Sequence, residues 1–325
     1  MCESFGKMPK ASGTSCTAKT SNGLPSGPWP WPLLVANLVL SLLLPLSVLL
    51  PNTCYDASSR IAESIWLGIQ HIFTRANHAQ ILVSGAEHLR QGESAIVISN
   101  HVGWTDFYMI QELAVAARML PRCRWFAKRE LRWVPFLGWG LWAMGMCLVS
   151  REWTRDRREM ERVFRGVVRR RWPVWLIAYS EATRYTASKR LEAEAWCRAH
   201  NKRLGHHVLY PRTRGFIACV QNLRKTQHVN SVYDVTIAYA KNGKEFQVPP
   251  RFTESLMLAN LDERWRFFVH VDRYTIDTLP QSDDELAQWL EDRFVEKGMR
   301  LAHLQKLLAE GQPWDDSSLS RLRLN

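Results

Sequence analysis

The stretch that decides the fold is residues 95–106, AIVISNHVGWTD. Its first five residues form a short apolar run, which is typical of a buried strand, and a helical pattern begins at Asp106. In an open α/β sheet, ligands bind beyond the carboxyl ends of the strands. A strand that runs directly into Asn100 and His101 therefore predicts a site at this edge of such a sheet.

Short apolar strands continue to alternate with helical stretches on both sides of this segment, which predicts an α/β fold with a mixed sheet of about seven strands flanked by helices. Near the end, Ser282 and Glu285 form a capping box that opens a helix, which we expect to be interrupted at Gly298. The candidate strands are residues 81–83, 95–99, 124–127, 146–150, 174–179, 207–210, 232–239 and 267–271, and the candidate helices are residues 106–117, 155–171, 187–199 and 215–223.

Composition limits the class of protein. The chain has 325 residues, of which 46% are hydrophobic and 23% charged, so it is neither disordered throughout nor a polytopic membrane protein. Its net charge of +12 favours an anionic partner, such as nucleic acid, a membrane surface or a phosphorylated substrate. Seven scattered cysteines without a C-x-x-C pair indicate a reducing compartment rather than a disulfide framework or a cysteine-rich zinc site.

The amino-terminal region predicts contact with a membrane. Residues 1–28 are polar and are expected to form a disordered leader, whereas residues 33–50 form an apolar run close to the about 20 residues that span a bilayer. Trp29 and Trp31 stand at its entrance, where an aromatic belt would lie. Residues 57–74 carry isoleucines at helical spacing, as in an amphipathic helix. We therefore predict a hydrophobic helical hairpin over residues 29–76 that dips into the membrane, with a simple span as the alternative.

Polar residues follow four of the candidate strands. His101 and Asp106 have a spacing at which a carboxylate at a helix start accepts a bond from a preceding imidazole, the arrangement of a general base. Arg151 and Arg184 bring guanidinium groups, which suit phosphate, although any one of them could be an ordinary surface charge. Glu181 could orient an arginine or contact a substrate hydroxyl, and Pro211 marks the last strand exit.

These residues resemble the motifs of a known family, the 1-acyl-sn-glycerol-3-phosphate acyltransferases of the glycerolipid acyltransferases. That family has N-H-x4-D, a segment ending in Arg, E-G-T-R and a proline motif in this order. The matches here are Asn100 to Asp106, residues 145–151, residues 181–184 and Pro211, and residues 210–216 and 232–236 are similar to the eukaryotic long-chain branch. The sequence departs from the family pattern at two places. Ala182 replaces the usual Gly of the third motif, and the segment over residues 145–151 differs from the commoner family version.

The resemblance implies a glycerolipid acyltransferase-like domain over residues 77–310, followed by a tail over 311–325. It implies transfer of a fatty acyl group from acyl-CoA to the sn-2 hydroxyl of lysophosphatidic acid, giving phosphatidic acid. His101 would be the base and Asp106 its partner; the residues that would bind substrate are Arg151, Glu181, Thr183, Arg184 and Pro211. Main-chain N–H groups near Gly103 are candidates for stabilising the oxyanion. No metal or bound cofactor is implied, and the expected place is the endoplasmic reticulum membrane, with this domain facing the cytosol.

Three alternatives stay open at this point. The acceptor could be a lysophospholipid with a larger headgroup, such as lysophosphatidylinositol or lysocardiolipin, because the long-chain branch contains both. A non-catalytic membrane protein could keep the same fold. A nucleic-acid-binding protein would fit the charge, but the chain has no zinc finger, basic zipper or RNA-binding aromatic motif, and the apolar segment would have no role.

Overall fold

The computed structural model describes residues 30–133, 138–150 and 153–314. It begins with two helices, α1 (Pro30–Leu49) and α2 (Pro51–His71), which meet at Leu50 and contact each other. The expected leader over residues 1–28 lies outside the described ranges, as does most of the expected tail. No helix within the described ranges is both long enough and apolar enough to cross a membrane.

The described part of the chain then alternates strands and helices, as expected. The strands are β1 (Ile81–Ser84), β2 (Ser94–Ser99), β3 (Cys123–Lys128), β4 (Cys147–Val149), β5 (Trp175–Tyr179), β6 (Val229–Lys241), β7 (Glu245–Phe246) and β8 (Trp265–Thr275). The remaining helices are α3 (Asp106–Ala116), α4 (Gly138–Ala143), α5 (Trp153–Arg170), α6 (Ala187–Ala199), α7 (Thr213–Leu223), α8 (Phe252–Met257) and α9 (Asp283–Ala309).

These strands form one mixed sheet in the order β1-β8-β6-β2-β5-β3-β4, with β7 added to the end of β6. β6 runs antiparallel to β8 and β7, and the other neighbours are parallel. The predicted mixed α/β sheet is confirmed. Ser99 at the end of β2 pairs with Tyr179 at the end of β5 and with Val235 in β6, so these chain segments reach the same edge.

Alternation along β6 sorts its side chains between two apolar cores on opposite faces of the sheet. Tyr233, Ile237 and Tyr239 lie in the core covered by α2 and α3, whereas Val232 and Ala238 lie in the core covered by α5, α7 and α9. Because side chains two residues apart share a face, Tyr239 lies on the same side of the sheet as the start of α3.

The predicted strand over residues 207–210 is wrong. This segment has no regular structure, because side chains rather than a neighbouring strand satisfy its main-chain polar groups. The carbonyl oxygen of Val208 accepts a bond from Arg190 Nη1 at 2.9 Å, and Leu209 N donates to Glu181 Oε1 at 2.8 Å. A short apolar run can thus be buried next to a sheet without joining it.

The helix after Ser282 begins as predicted but is not interrupted at Gly298. The hydroxyl of Ser282 accepts a bond from Glu285 N at 3.3 Å, and α9 then continues to Ala309. A Cβ at Gly298 would overlap the main-chain nitrogen of His206 and the Cα of Gly205. The glycine therefore serves a close approach between α9 and a loop, and the helix pattern continues through it.

α2 buries one side against the domain rather than standing apart from it. Trp66 meets the ring of Phe107 at 5.1 Å and that of Trp125 at 6.0 Å. Just beyond the helix, Phe73 stacks on Tyr108 with ring centroids 4.1 Å apart. The isoleucines of α2, namely Ile61, Ile65 and Ile69, are half-buried against the same core. α2 and the domain therefore share one hydrophobic core.

Candidate active site

The loop after β2 is fixed by the first residue of the motif. The side chain of Asn100 donates from Nδ2 to the carbonyl oxygen of Ile237 at 3.0 Å and accepts from Ile237 N at 2.8 Å. It therefore pairs with the main chain of β6 where β2 has ended, as a further strand residue would. This pairing holds the start of the loop against β6.

His101 and Asp106 form the hydrogen-bonded pair that the spacing predicts. His101 Nδ1 lies 2.7 Å from Asp106 Oδ2, and the same oxygen accepts Val102 N at 2.6 Å and Gly103 N at 3.1 Å. Asp106 is completely buried, whereas the His101 side chain is 19% exposed. Because the carboxylate is an acceptor, the imidazole proton lies on Nδ1, and Nε2 keeps a lone pair that can remove a proton.

The predicted oxyanion donors are not available at Val102 and Gly103. Both main-chain N–H groups already donate to Asp106, so they hold the carboxylate rather than face a reacting carbonyl. The tight turn around Gly103 thus positions the carboxylate of Asp106. A Cβ at Gly103 would also come within 2.6 Å of Pro249, which closes this side of the loop.

Two tyrosines that sequence reasoning missed complete the surroundings of the pair. The hydroxyl of Tyr239 in β6 donates to Asp106 Oδ1 at 2.7 Å, and the ring of Tyr179 in β5 stacks on the imidazole of His101 at 4.1 Å. Both tyrosines sit in strands and read as ordinary core residues. The signal that could have identified them is their position near the ends of strands that reach the same edge of the sheet as His101.

Glu181 is buried and is engaged by the main chain on both sides. Its Oε2 accepts His101 N at 2.9 Å, and its Oε1 accepts Leu209 N at 2.8 Å. Burial raises the pKa of this carboxyl to about 8, against the lowering effect of the two N–H groups. The structure thus places Glu181 beside the His101 loop, and its contact with a substrate stays a prediction.

The residue after Glu181 shows why a glycine is usual there. Ala182 has a φ of +56°, in the left-handed region that favours glycine. Next along the chain, the hydroxyl of Thr183 bonds to Lys189 Nζ, and Arg184 is exposed. Burial raises the pKa of Tyr179, whose ring stacks on His101, and the charge of Arg184 acts in the opposite direction.

The fourth motif reaches the same place, although no strand precedes it. Arg212 N donates to the carbonyl oxygen of Ser180 at 2.7 Å, which brings buried Pro211 next to the Glu181 turn. The structure therefore brings His101, Asp106, Glu181 and Pro211 together. Arg151 lies outside the described residues. Within the described ranges, no cluster of three or more histidine, cysteine or acidic side chains could hold a metal ion.

A completely buried carboxylate bonded to a partly exposed imidazole, at the edge of a mixed sheet, defines an α/β protein with a histidine–aspartate site. Comparison with known proteins identifies its family. A family model described as "Acyltransferase" matches residues 80–240, which include the whole site, and one described as "Acyltransferase C-terminus" matches residues 261–312. The chain belongs to the acyltransferase family that includes the 1-acyl-sn-glycerol-3-phosphate and lysocardiolipin acyltransferases, so the resemblance drawn from the motifs is confirmed.

The relatives carry two kinds of name. The 1-acyl-sn-glycerol-3-phosphate acyltransferase 2 of Brassica oleracea is 28% identical over 271 residues, which are 81% of this chain and 66% of the relative. Lysocardiolipin acyltransferase 1 of Danio rerio is 28% identical over 264 residues, with the same two shares. The chain thus spans slightly under two thirds of the length of these relatives. A crystal structure of the 1-acyl-sn-glycerophosphate acyltransferase PlsC from Thermotoga maritima matches 83% of this chain and 95% of its own, with 15% identity and a TM-score of 0.46.

Proposed function

We propose that the protein transfers a fatty acyl group from acyl-CoA to the sn-2 hydroxyl of lysophosphatidic acid, giving phosphatidic acid. The observation that carries this proposal is the 2.7 Å bond from His101 to completely buried Asp106. A histidine held in this way is oriented to take a proton from a hydroxyl, and its partner carboxylate stabilises the imidazolium that forms.

The proposed reaction uses His101 twice. Nε2 takes the proton of the acceptor hydroxyl, and the oxygen attacks the thioester carbonyl to form a tetrahedral intermediate. When the C–S bond breaks, the CoA thiolate leaves and receives the proton from Nε2. Arg151 and Arg184 are proposed to hold the acceptor phosphate because guanidinium forks match its geometry. Thr183 and Glu181 are proposed to line that side, and Pro211 to shape the region that takes the acyl donor.

The acceptor is tested by thiol release from acyl-CoA with lysophosphatidic acid and lysophosphatidylinositol in parallel. We expect release with lysophosphatidic acid that disappears in His101→Ala and persists in His200→Ala, a control at an exposed histidine beyond the end of α6. Release with only the larger headgroup would keep the chemistry and replace the acceptor, which the lysocardiolipin acyltransferase relatives make the second candidate. Release that persists in His101→Ala would refute His101 as the base, and absent release would favour a non-catalytic membrane protein.

We also propose that α1 attaches the protein to a membrane. Five of its exposed aliphatic side chains recur every three or four residues on one side, whereas Ala36 and Leu40 on the other side are buried. An exposed apolar stripe of this kind favours a lipid surface. The stripe consists of Val35, Leu38, Leu42, Leu46 and Leu49.

Flotation with lipid vesicles tests this attachment. We expect Leu38→Glu combined with Leu42→Glu to reduce the bound fraction, whereas Leu191→Glu, at an equally exposed leucine of α6, should leave it unchanged. Equal binding of all variants would contradict attachment through α1. Microscopy and protease protection in cells then test the proposed place, the endoplasmic reticulum membrane with the domain facing the cytosol.

A further inference from the structure

The two oxygens of Asp106 are held in different ways. Oδ2 accepts His101 Nδ1 and two main-chain N–H groups of its own turn. Oδ1 accepts the hydroxyl of Tyr239, which comes from β6, more than a hundred residues later in the chain. The local turn therefore bonds only to Oδ2, and Oδ1 is bonded by a residue of a strand that is distant in the sequence.

The position of Tyr239 is fixed by bonds to the main chain of β6. Gln247 N donates to the carbonyl oxygen of Tyr239 at 2.8 Å, and Gln247 Oε1 accepts Tyr239 N at 3.3 Å. Two residues earlier, Ile237 is bonded through both its main-chain groups to the side chain of Asn100. Asn100 directly precedes His101, so one residue anchors both the base loop and the strand that carries the tyrosine.

The hydroxyl of Tyr239 remains a donor. Burial, and then the charge of Asp106, raise its pKa well above the ordinary value, so the phenol stays protonated. A donor on Oδ1 draws negative charge away from the side of the carboxylate that faces His101. The strength of the Asp106 to His101 bond therefore depends on this hydroxyl.

Other groups surround the pair and act on its charge. From β5 and the turn after it come Tyr179, which stacks on His101, and Glu181, which accepts His101 N. Burial raises the pKa of Tyr179, and the charge of Arg184 lowers it. In the same way, burial raises the pKa of Glu181, and the charge of Lys297 in α9 lowers it. Of these neighbours, Tyr239 is the one whose side chain bonds to the Asp106 carboxylate.

We propose that Tyr239 is a positioning residue for the reaction: its hydroxyl holds Oδ1 of Asp106 and sets how strongly this carboxylate attracts the Nδ1 proton of His101. This inference rests on the proposed function, in which His101 is the base. Tyr239 itself touches no reacting atom and acts through Asp106.

The chain offers a matched control on the same strand. Tyr233 is completely buried in β6, like Tyr239, and its hydroxyl donates to a carboxylate oxygen of Glu93 at 2.7 Å. Tyr233→Phe therefore removes the same kind of bond at a place away from His101. Tyr239→Phe keeps the ring that packs in the core and deletes only the hydroxyl.

The pH profile of kcat/KM for thiol release separates positioning from stability. In Tyr239→Phe, Asp106 keeps more negative charge and favours the imidazolium, so the acid limb should move to higher pH by about half a unit or more. We expect kcat to fall about tenfold, the size of one lost bond to a charged group. Tyr233→Phe should keep the wild-type profile.

A second measurement does not depend on turnover. The low-field proton resonance of His101 Nδ1, assigned by its loss in His101→Ala, should shift in Tyr239→Phe and stay in place in Tyr233→Phe. If Tyr239→Phe does not fold, incorporation of 3-fluorotyrosine at position 239 provides a stronger donor and should move the acid limb to lower pH.

An unchanged acid limb together with an unchanged resonance in Tyr239→Phe would overturn the inference while leaving the proposed function intact. Absence of His101-dependent thiol release in the wild type would instead refute the proposed function. In that case the resonance alone would decide whether Tyr239 controls the bond between Asp106 and His101.

Discussion

Glu181 Oε2 accepts the main-chain N–H of His101 at 2.9 Å, eighty residues earlier in the chain. Its other oxygen accepts Leu209 N, so one buried side chain joins the His101 loop to the segment that leads into Pro211. Neither His101 nor Leu209 is part of a β-strand. This one carboxyl group therefore contributes to the placement of both His101 and the last motif.

Glu181→Gln should impair the reaction more than the fold. A glutamine side chain has one carbonyl oxygen, so its amide group would face a main-chain N–H that needs an acceptor. We expect kcat to fall by a factor of about ten, because a buried main-chain N–H left without an acceptor costs about 1–3 kcal/mol. The assay is thiol release with circular dichroism as a check of folding.

The matched control for this change is Glu93→Gln. Glu93 is a mostly buried glutamate that pairs with Arg273 and Tyr233, in contact with neither His101 nor Asp106. We expect it to lower stability while leaving turnover per folded molecule close to that of the wild type. Equal losses of turnover in the two variants would contradict a positioning role for Glu181.

The raised pKa of Glu181 predicts a pH dependence of stability. The ordinary pKa of 4.5 applies to the unfolded chain, whereas burial raises the pKa to about 8 in the folded protein. Between these values the folded state holds more protons, so the contribution of this group to the free energy of unfolding falls as pH rises. It is fully present below about pH 4.5 and is lost as pH passes through about 8.

Urea unfolding at a series of pH values tests this dependence. The difference in unfolding free energy between the wild type and Glu181→Gln should shift in favour of the variant as pH rises from 5 to 8. A difference that stays constant across this range would show that Glu181 does not bind its proton more tightly in the folded state.

Ala182→Gly should stabilise the protein. A non-glycine residue in the left-handed region costs about 1 kcal/mol, and the greater freedom of glycine in the unfolded chain offsets about half of this. We expect a net gain of about 0.5 kcal/mol at this position, whose φ is +56°. Ala195→Gly, in the exposed part of α6, should instead lose about 1 kcal/mol. Urea unfolding of both variants checks the opposite signs.

Gly298→Ala should destabilise the protein although it raises helix propensity. The new methyl group would overlap the main chain of Gly205 and His206, and forced overpacking costs about 1–3 kcal/mol. Gly68→Ala in α2 is the control, since a Cβ there meets nothing within 4 Å and should stabilise by about 0.5–1 kcal/mol. Thermal unfolding that ranks Gly298→Ala above the wild type would refute this account.

Much of this architecture could be predicted because its signals are local. Residues 95–106 contain a strand, a turn and a helix start within one window, and the spacing of His101 and Asp106 allows their bond without help from the rest of the chain. Apolar runs likewise predicted most of the strands of the sheet. Periodicity failed at residues 207–210, because apolar residues can be buried by a loop as well as by a strand.

Other features are properties of chain segments that meet only in the folded protein. The bonds from Tyr239 to Asp106 and from Glu181 to Leu209 join elements that no sequence spacing relates. The role of Gly298 likewise depends on a loop that approaches α9 from almost a hundred residues away.

By itself the sequence determined the α/β class, the pair His101 and Asp106, and the acyltransferase family, because each of these is written in neighbouring residues or in the order of short motifs. Only the tertiary structure decided which groups hold that pair in place, because sheet register sets which side chains of separate strands share an edge. Ser99 lies beside Tyr179 and Val235 in this register, and β6 continues from there to bring Tyr239 to the carboxylate.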